Sequence, residues 1–188
     1  MFKHKKFDPR IMEGKKVLDL GCGRNKLPGA VGLDARNFPG VDIVADLNQK
    51  LPIEDASYDV VHSSQVLEHV DNLIGLMHEM HRILKPGGIM VAHTPYFRSA
   101  WAHIDPTHVR HFTIATLDYF VKGTYCNSDY SFGDVAFSKK DVYLDTDYRS
   151  LPTRAFFSNL ALRWPFRFEN GILSFLYPFE QITFVLTK

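Results

Sequence analysis

The sequence predicts an α/β protein of one domain built on a parallel β-sheet. Three observations support this: the chain length, short apolar runs interrupted by a helical segment, and acidic residues that end successive runs. The chain has 188 residues, which suits one domain with one sizeable core. Hydrophobic residues make up 45% and charged residues 23%, an ordinary balance for a soluble globular domain. We therefore treat residues 1–188 as a single domain.

Short apolar runs predict the strands of the sheet. Near-continuous runs are typical of parallel strands, because both faces of such strands are covered. The first five runs lie at residues 16–20, 31–34, 41–46, 58–63 and 88–94. Residues 135–145 contain further strand material. The alternation of Ile182, Phe184 and Leu186 predicts a last strand over residues 181–187.

A helix is predicted between the fourth and fifth strands, over residues 71–84. Its apolar residues recur at helical spacing, at Leu73, Leu76, Met77, Met80 and Leu84. Asp71 or Asn72 can cap its start. Lys85-Pro86-Gly87-Gly88 ends it, because proline cannot continue a helix and glycine accepts the left-handed conformation. A second helix is predicted over residues 113–122.

Three acids end the first three strands of the predicted sheet. Asp19 precedes Gly21 and Gly23, and Asp34 and Asp46 follow the next two runs. In an open α/β sheet, ligands bind beyond the carboxyl ends of the strands. The glycines have no Cβ and let the backbone approach a ligand closely. This edge of the sheet is therefore the predicted binding site.

Five segments, in their order and spacing, resemble the motifs of class I S-adenosylmethionine (SAM)-dependent methyltransferases. They are Val17-Leu18-Asp19-Leu20-Gly21-Cys22-Gly23, Gly32-Leu33-Asp34, Asp46-Leu47, Ser63 to Val70, and Arg82-Ile83-Leu84-Lys85-Pro86-Gly87-Gly88. The resemblance covers roughly residues 15–95 and is to the methyltransferase type 11 group. It implies a Rossmann-like methyltransferase fold, a doubly wound and mostly parallel sheet with a final antiparallel strand.

The resemblance also implies SAM as the cofactor and a role for each matching residue. Carboxylates suit SAM because its ammonium, ribose hydroxyls and adenine amino group are hydrogen-bond donors. By position, Asp19, Gly21, Cys22 and Gly23 would flank the methionine end, Asp34 the ribose, Asp46 and Leu47 the adenine, and Ser64 and Gln65 the sulfonium.

The segment after Gly23 is shorter than the family pattern. Only seven residues, Arg24–Ala30, separate it from the second strand, and Asn25 replaces the third glycine of the usual loop. A parallel crossover normally needs about a dozen residues, so the first helix is expected to be cut to a turn or missing. This disfavours an NAD dehydrogenase, which needs a helix N-terminus for its pyrophosphate. The short loop resembles that of a compact subgroup of methyltransferases, and this resemblance implies a link to cell-surface glycan modification.

A histidine-rich loop, residues 96–112, follows the fifth strand. His103 and His108 are candidate general bases for the methyl acceptor, with His111 and Asp105 beside them. A metal site and a purely structural loop are the two alternatives. No metal is expected, because no cysteine lies near the histidines and methyl transfer does not require a Lewis acid. His69 is a third catalytic candidate, with capping of a turn as its alternative.

Residues 149–179 form an insertion rich in aromatic residues and arginine. Three roles stay open for it: a substrate lid, a dimer or membrane-facing surface, and ordinary core. A homodimer is therefore one alternative for the assembly of the chain.

The acceptor class follows from charge and from what the motifs lack. The formal net charge is +1, which disfavours a nucleic-acid partner. Ser63-Ser64-Gln65-Val66 stands where DNA amino-methylating enzymes carry an Asn/Asp-Pro-Pro-Tyr/Phe motif. A small molecule or glycan is therefore the expected acceptor. The alternatives are an RNA or protein methyltransferase and a SAM-binding module without catalysis.

Composition also predicts the compartment. The chain has two cysteines, Cys22 and Cys126, and neither lies in a CxxC pair. Met1 to Arg10 is basic and has no apolar core, so no signal peptide is expected. The sequence contains no run of about 18 apolar residues, so no membrane span is expected. We expect a cytoplasmic protein.

Overall fold

A seven-stranded mixed sheet forms the centre of the molecule. The computed structural model describes residues 6–129, 132, 135–146 and 151–188. Within them the strands are β1 Val17–Leu20, β2 Val31–Asp34, β3 Ile43–Val44, β4 Tyr58–Ser64, β5 Leu84–Pro95, β6 Lys139–Asp145 and β7 Gln181–Thr187. Their order is β3-β2-β1-β4-β5-β7-β6, and β7 runs antiparallel to both neighbours. This confirms the predicted α/β fold with its antiparallel last strand.

Short helices surround the sheet. They are α1 Leu73–Ile83, α2 Trp101–Ile104, α3 Tyr125–Asp129, α4 Leu151–Arg163, α5 Pro165–Glu169 and α6 Leu173–Leu176, with 3-10 turns at Pro9–Met12, Leu67–His69 and Asp118–Phe120. Asn72 caps α1 as predicted, because its side chain accepts a hydrogen bond from the Gly75 amide at 3.0 Å. None of the helices in the described part of the chain is both long and apolar enough to cross a membrane.

The helix α1 and the strand β5 meet without a loop. The helix ends at Ile83 and β5 begins at Leu84, four residues earlier than the predicted strand. The pairing with β4 shifts register between Tyr58 and Val60, which is where the Lys85-Pro86-Gly87-Gly88 segment enters the sheet. Gly87 has a φ of 75°, so glycine is favoured at this bulge.

The two faces of the sheet are covered unequally. On one face α1 buries Leu76, Met77 and Met80 almost completely against the main core. Each such side chain contributes roughly 1.5–3 kcal/mol by leaving water. On the other face a smaller cluster around Val60 and Val91 packs against the N-terminal segment rather than against a long helix.

The crossovers between the first four strands contain no helix. Residues 21–30, 35–42 and 45–57 are turns and extended backbone. This agrees with the short first loop expected from the sequence. The Leu27 amide donates a hydrogen bond to Asp19 Oδ2 at 2.8 Å, which ties the first loop to the end of β1.

The predicted helix over residues 113–122 is wrong. The segment consists of turns and the short 3-10 helix at Asp118–Phe120. Within it the backbone makes only short turn bonds, such as that from the Asp118 amide to the Ala115 carbonyl. The Ile114 amide donates instead to Glu169 Oε1 at 2.8 Å, and Lys140 donates to the Ile114 carbonyl at 2.9 Å. These tertiary bonds replace the ladder that an α-helix needs.

The aromatic insertion is largely helical. Helices α4, α5 and α6 account for most of it, while its residues 149 and 150 lie outside the described residues. Its aromatic side chains divide into two sets. Phe168, Tyr177 and Phe179 are buried in the core, and Phe166 and Phe175 are exposed. The role of the exposed set stays a prediction.

Candidate functional site

The end of β1 holds a buried hydrogen-bonded pair. Asp19 is 3% exposed, and its Oδ1 lies 2.7 Å from Nδ1 of His62 on the neighbouring strand β4. Its Oδ2 accepts the Leu27 amide. Both carboxylate oxygens are therefore engaged beneath the loop. Asp19 therefore ties the far side of the glycine loop, at Leu27, to the sheet at His62.

The two glycines of the loop differ in what surrounds them. Gly21 has a φ of +62°, and a Cβ there would lie 2.5 Å from Cγ2 of Val66. Gly23 has a φ of +52°, and a Cβ there would meet nothing within 4 Å. Gly21 thus packs against the protein, while Gly23 borders open space in which a ligand can approach the backbone. Cys22 between them is buried, and burial raises the pKa of its thiol.

Asp34 closes the loop from the end of β2. Its Oδ2 accepts the Gly23 amide and its Oδ1 accepts the Arg36 amide, each at 2.9 Å. Asp46 is exposed beyond β3 and accepts the Asn48 amide at 2.9 Å. The carboxylates are held by backbone N–H groups, and each keeps lone pairs for the hydroxyl and amino donors of a nucleoside. Leu47 beside Asp46 is 9% exposed and offers an apolar surface.

The end of β4 carries an unusual backbone conformation. Ser64 and Gln65 are exposed there, and Gln65 has a φ of 55° although it is not a glycine. The Gln65 amide donates to the carbonyl of His93 on β5 at 2.8 Å, which holds this conformation. Sparsely populated backbone conformations cluster at functional sites. The turn aims Gln65 toward the mouth of a cavity.

That cavity has a volume of about 530 Å³. It lies beyond the carboxyl end of β5, beside the amino end of the antiparallel strand β7. Its lining residues are Gln65, Glu68, His69, Pro95, Trp101, Ile104, Asp105, His108, Asp145, Thr146, Glu180 and Gln181. Four of them are acidic and none is lysine or arginine. Asp145 is paired with Arg154 at 2.6 Å, and the remaining acids favour neutral or cationic ligands over anionic ones.

Glu68 is the most buried acid in the cavity wall. It is 1% exposed, and among the described residues neither carboxylate oxygen has a hydrogen-bond partner. Burial raises its pKa to about 7, because the charged form loses its hydration. The sequence interpretation did not include Glu68. The signal available was its place next to His69, inside the segment that resembles the methyltransferase motif.

Two histidines flank Glu68. The imidazole rings of His69 and His108 lie 4.6 Å apart, edge to face. Nδ1 of His69 lies 2.8 Å from Oγ1 of Thr107, which itself donates to Asp105 Oδ1 at 2.7 Å. Nδ1 of His108 lies 3.1 Å from the carbonyl of Ala102. The two rings are thus oriented by hydrogen bonds on one nitrogen each.

A family model described as "Methyltransferase domain" matches residues 3–178, which is nearly the whole chain. The chain belongs to the class I SAM-dependent methyltransferases.

Relatives of this methyltransferase share about a third of the aligned residues. A "Probable S-adenosylmethionine-dependent methyltransferase" of Mycolicibacterium smegmatis is 30% identical over 125 residues, 55% of this chain and 49% of the relative. A "Ubiquinone biosynthesis O-methyltransferase" of Pseudomonas savastanoi is 34% identical over 104 residues, 43% of this chain and 45% of the relative. The alignments span about half the length of these relatives.

Solved structures share the fold at lower identity. A SAM-dependent methyltransferase from Archaeoglobus fulgidus has a TM-score of 0.64 and 17% identity, with 96% of this chain and 89% of that chain covered. The phosphoethanolamine N-methyltransferase 2 of Haemonchus contortus, in complex with SAM, has a TM-score of 0.58 and 15% identity, with 93% and 49% covered. Both support the Rossmann-like methyltransferase fold.

The fold of this methyltransferase separates the three histidines predicted as catalytic candidates. His69 and His108 line the cavity, whereas His103 does not. Nε2 of His103 lies 3.0 Å from the carbonyl of Phe97, and its ring contacts His111 at 4.5 Å. This arrangement suits the structural alternative for His103. A role as general base stays a prediction for His69 and His108.

Proposed function

We propose that this chain binds SAM beyond the ends of β1 to β4. It transfers the methyl group to a small-molecule or glycan acceptor in the adjacent cavity and releases S-adenosylhomocysteine (SAH). The observation that supports this most directly is the position of Gln65. It belongs to the segment expected at the sulfonium and also lines the cavity of about 530 Å³. Donor and acceptor sites are therefore neighbours.

The residues of the cofactor side fit SAM. Gly23 leaves open space above the loop, and Asp34 and Asp46 present acceptors to the ribose and adenine groups. When bound, SAM supplies an electrophilic methyl group on a positive sulfur. The acidic lining of the cavity favours that positive charge electrostatically. The protein then contributes mainly by holding the two reactants in line.

The cavity fits a compact organic acceptor. Its volume is within the usual range for small-molecule sites. Trp101 and Ile104 stand at its wall with 55% and 68% of their surface exposed, so they can cover a ring or an apolar stem. The acidic wall disfavours phosphate-rich acceptors such as RNA. The ubiquinone O-methyltransferase among the relatives has a small molecule as its named pathway product.

Calorimetry with SAM, SAH and NAD tests the cofactor assignment. We expect SAM and SAH to bind and to raise the melting temperature, because a ligand selective for the folded state stabilises it. NAD should not bind. Binding of NAD without SAM or SAH would overturn the proposal.

Labelled SAM then tests the acceptor class. The methyl label should move to a member of a panel of phenols, catechols, sugars and small amines. RNA and protein tested in parallel should stay unlabelled. Label on RNA or protein alone would replace the proposed acceptor class, and SAH binding without transfer to any member would favour a SAM-binding module.

A further inference from the structure

Three side chains in the cavity wall form a potential metal-ligand set. Glu68, His69 and His108 each offer one ligand atom, and these atoms all lie within 4.8 Å of one another. We propose that Glu68, His69 and His108 bind one divalent transition-metal ion, such as Zn²⁺, at the acceptor side of the cavity. The site goes beyond methyl transfer and does not require it, since the ion would bind without SAM or acceptor.

The first argument is the state of Glu68. A carboxylate that is almost fully buried is costly unless it is hydrogen-bonded, paired with a charge or bound to a metal. In the described part of the chain neither Glu68 oxygen has a hydrogen-bond donor, and no lysine or arginine lines the cavity. Buried carboxylates elsewhere in the fold are partnered; Glu169 accepts the Tyr96 hydroxyl and the Ile114 amide. A bound cation would supply the partner that the Glu68 carboxylate lacks.

The second argument is the orientation of the two imidazoles. The Ala102 carbonyl can only accept, so His108 Nδ1 must carry the proton in its hydrogen bond. The Thr107 hydroxyl donates to Asp105, so its oxygen accepts from His69 Nδ1. Each ring in its neutral form therefore keeps the lone pair on Nε2. Metal-binding histidines are usually fixed in this way, with the second nitrogen donating to a carbonyl or to a carboxylate-linked group.

The ligand set indicates which ions fit. Two imidazoles and one carboxylate suit Zn²⁺ and neighbouring first-row ions better than Mg²⁺ or Ca²⁺, which prefer oxygen ligands. Three protein ligands leave a further coordination position, as catalytic zinc sites do. All three residues line the cavity, so that position faces the space available to an acceptor. From the sequence alone no metal is expected, because no cysteine lies near the histidines and methyl transfer does not require a Lewis acid. That reasoning did not consider Glu68, which lies outside the histidine-rich loop.

The consequence for chemistry rests on the proposed function. A hydroxyl oxygen of the acceptor would occupy the open position and lose its proton to solvent water more readily, because the ion stabilises the anion. The oxygen then forms a bond to the methyl carbon while the carbon–sulfur bond breaks, and its electron pair stays on sulfur. In this arrangement the ion takes over the role predicted for a histidine base. The acceptor class narrows to hydroxyl compounds.

Metal binding to the chelator-treated full chain tests the proposal. Titration with Co²⁺ should give one equivalent and the visible absorption of a low-symmetry site, and Zn²⁺ should displace it. Glu68→Gln and His108→Ala should each weaken Zn²⁺ binding at least about 100-fold, since changes to supporting residues alone cost about 10–100-fold. Thr107→Val, which removes the hydroxyl that supports His69, should weaken Zn²⁺ binding by only about 10–100-fold. His111→Ala, an exposed histidine of the same loop, is the matched control and should bind Zn²⁺ normally.

SAH calorimetry on the same samples separates the two proposals. A variant that binds SAH as the parent does is folded, so its loss of Zn²⁺ binding supports the site. Absence of stoichiometric Co²⁺ or Zn²⁺ binding in a parent chain that binds SAH would overturn the metal site and leave the cofactor proposal intact. Equal Zn²⁺ affinity in the parent and in Glu68→Gln would also overturn it. Zn²⁺ binding without SAH binding would instead count against the proposed function.

Discussion

The carboxyl ends of the strands form two regions that differ in the hydrogen bonding of their acidic side chains. On the cofactor side, Asp19, Asp34 and Asp46 all accept hydrogen bonds from backbone amides. On the acceptor side, Glu68 is buried without a partner among the described residues. The first region is complete through its own loops. The second leaves a buried carboxylate without a partner among the described residues, and this is where we propose that a metal ion binds.

Chain connectivity explains the contrast. The cofactor side is made by short loops that directly follow β1, β2 and β3, so each acid lies near the amides that it binds. The acceptor side is assembled from segments far apart in sequence, around residues 65–69, 95–108, 145–146 and 180–181. Local segments preorganise a site cheaply, whereas distant segments form one only after the whole sheet has folded.

The largest expected effect is a loss of stability on substitution of Asp19, in the region that is complete through its own loops. Asp19→Ala removes the partner of the part-buried Leu27 amide and of the buried His62 imidazole, and should lower the free energy of unfolding by about 2–5 kcal/mol. Asp46→Ala, at an exposed strand end, is the control and should cost about 1 kcal/mol or less. Urea denaturation measures both. Equal losses would remove Asp19 from its positioning role.

A comparable loss is expected in the second half of the chain at Glu169. Glu169→Ala leaves the Tyr96 hydroxyl and the Ile114 amide buried without their acceptor, so we expect a loss of about 2–4 kcal/mol. Glu169→Gln keeps the Oε1 acceptor and should retain most of the stability. Because Glu169 does not line the cavity, SAH affinity in the folded variant should not change. Thermal denaturation and calorimetry test the two statements separately.

A smaller effect, on binding rather than folding, is expected at Asp34. Asp34→Ala should weaken SAM binding by about 1.5–3 kcal/mol, or roughly 10- to 150-fold, because hydrogen bonds to a charged group are lost. Asp59→Ala at the opposite end of β4 should leave SAM affinity unchanged, since Asp59 bonds to Lys16 and Lys85. Calorimetry measures both variants. An unchanged dissociation constant in folded Asp34→Ala would place the ribose elsewhere.

The smallest effect concerns pH and His93 on β5, at the boundary of the two regions. Burial lowers its pKa from 6.5 to about 4, because the protonated ring loses hydration. The unfolded chain therefore takes up this proton first as pH falls. The contribution of the neutral His93 to the free energy of unfolding is therefore fully present above pH 6.5. It is lost progressively as the pH falls to about 4, by roughly 1–3 kcal/mol.

A substitution isolates this contribution from that of the carboxylates. In His93→Gln the free energy of unfolding should fall less steeply between pH 6.5 and 4 than in the parent chain. Denaturant titrations at several pH values measure the slopes. Identical slopes in His93→Gln and the parent would mean that His93 does not resist protonation.

The local features of the fold could be predicted from sequence. The strand ends at Asp19 and Asp34, the helix cap at Asn72 and the missing first helix are set by neighbouring residues, and short-range patterns report them. The predicted helix over residues 113–122 is wrong because the backbone groups of Ile114 bond to the side chains of Glu169 and Lys140. No local pattern contains those partners.

In the candidate site, too, the features set by neighbouring residues could be predicted and those set by distant residues could not. The glycine loop could be predicted because the motif is continuous in sequence. The orientation of Asp19 could not, because its partner His62 lies on another strand. The meeting of His108 with Glu68 depends on how the loop after β5 packs against the turn after β4. The sequence interpretation grouped His103 with His108 by proximity in the chain, and the fold separates them.

The position of β7 has a consequence for how the molecule is made. This strand, Gln181–Thr187, lies between β5 and β6 and supplies hydrogen bonds to both. During synthesis β5 is complete some ninety residues before its partner leaves the ribosome, so an open strand edge persists meanwhile. Pairing over such a separation is slow. Nascent chains that stop short of residue 181 should therefore depend on chaperones or be degraded, however well their glycine loop is encoded.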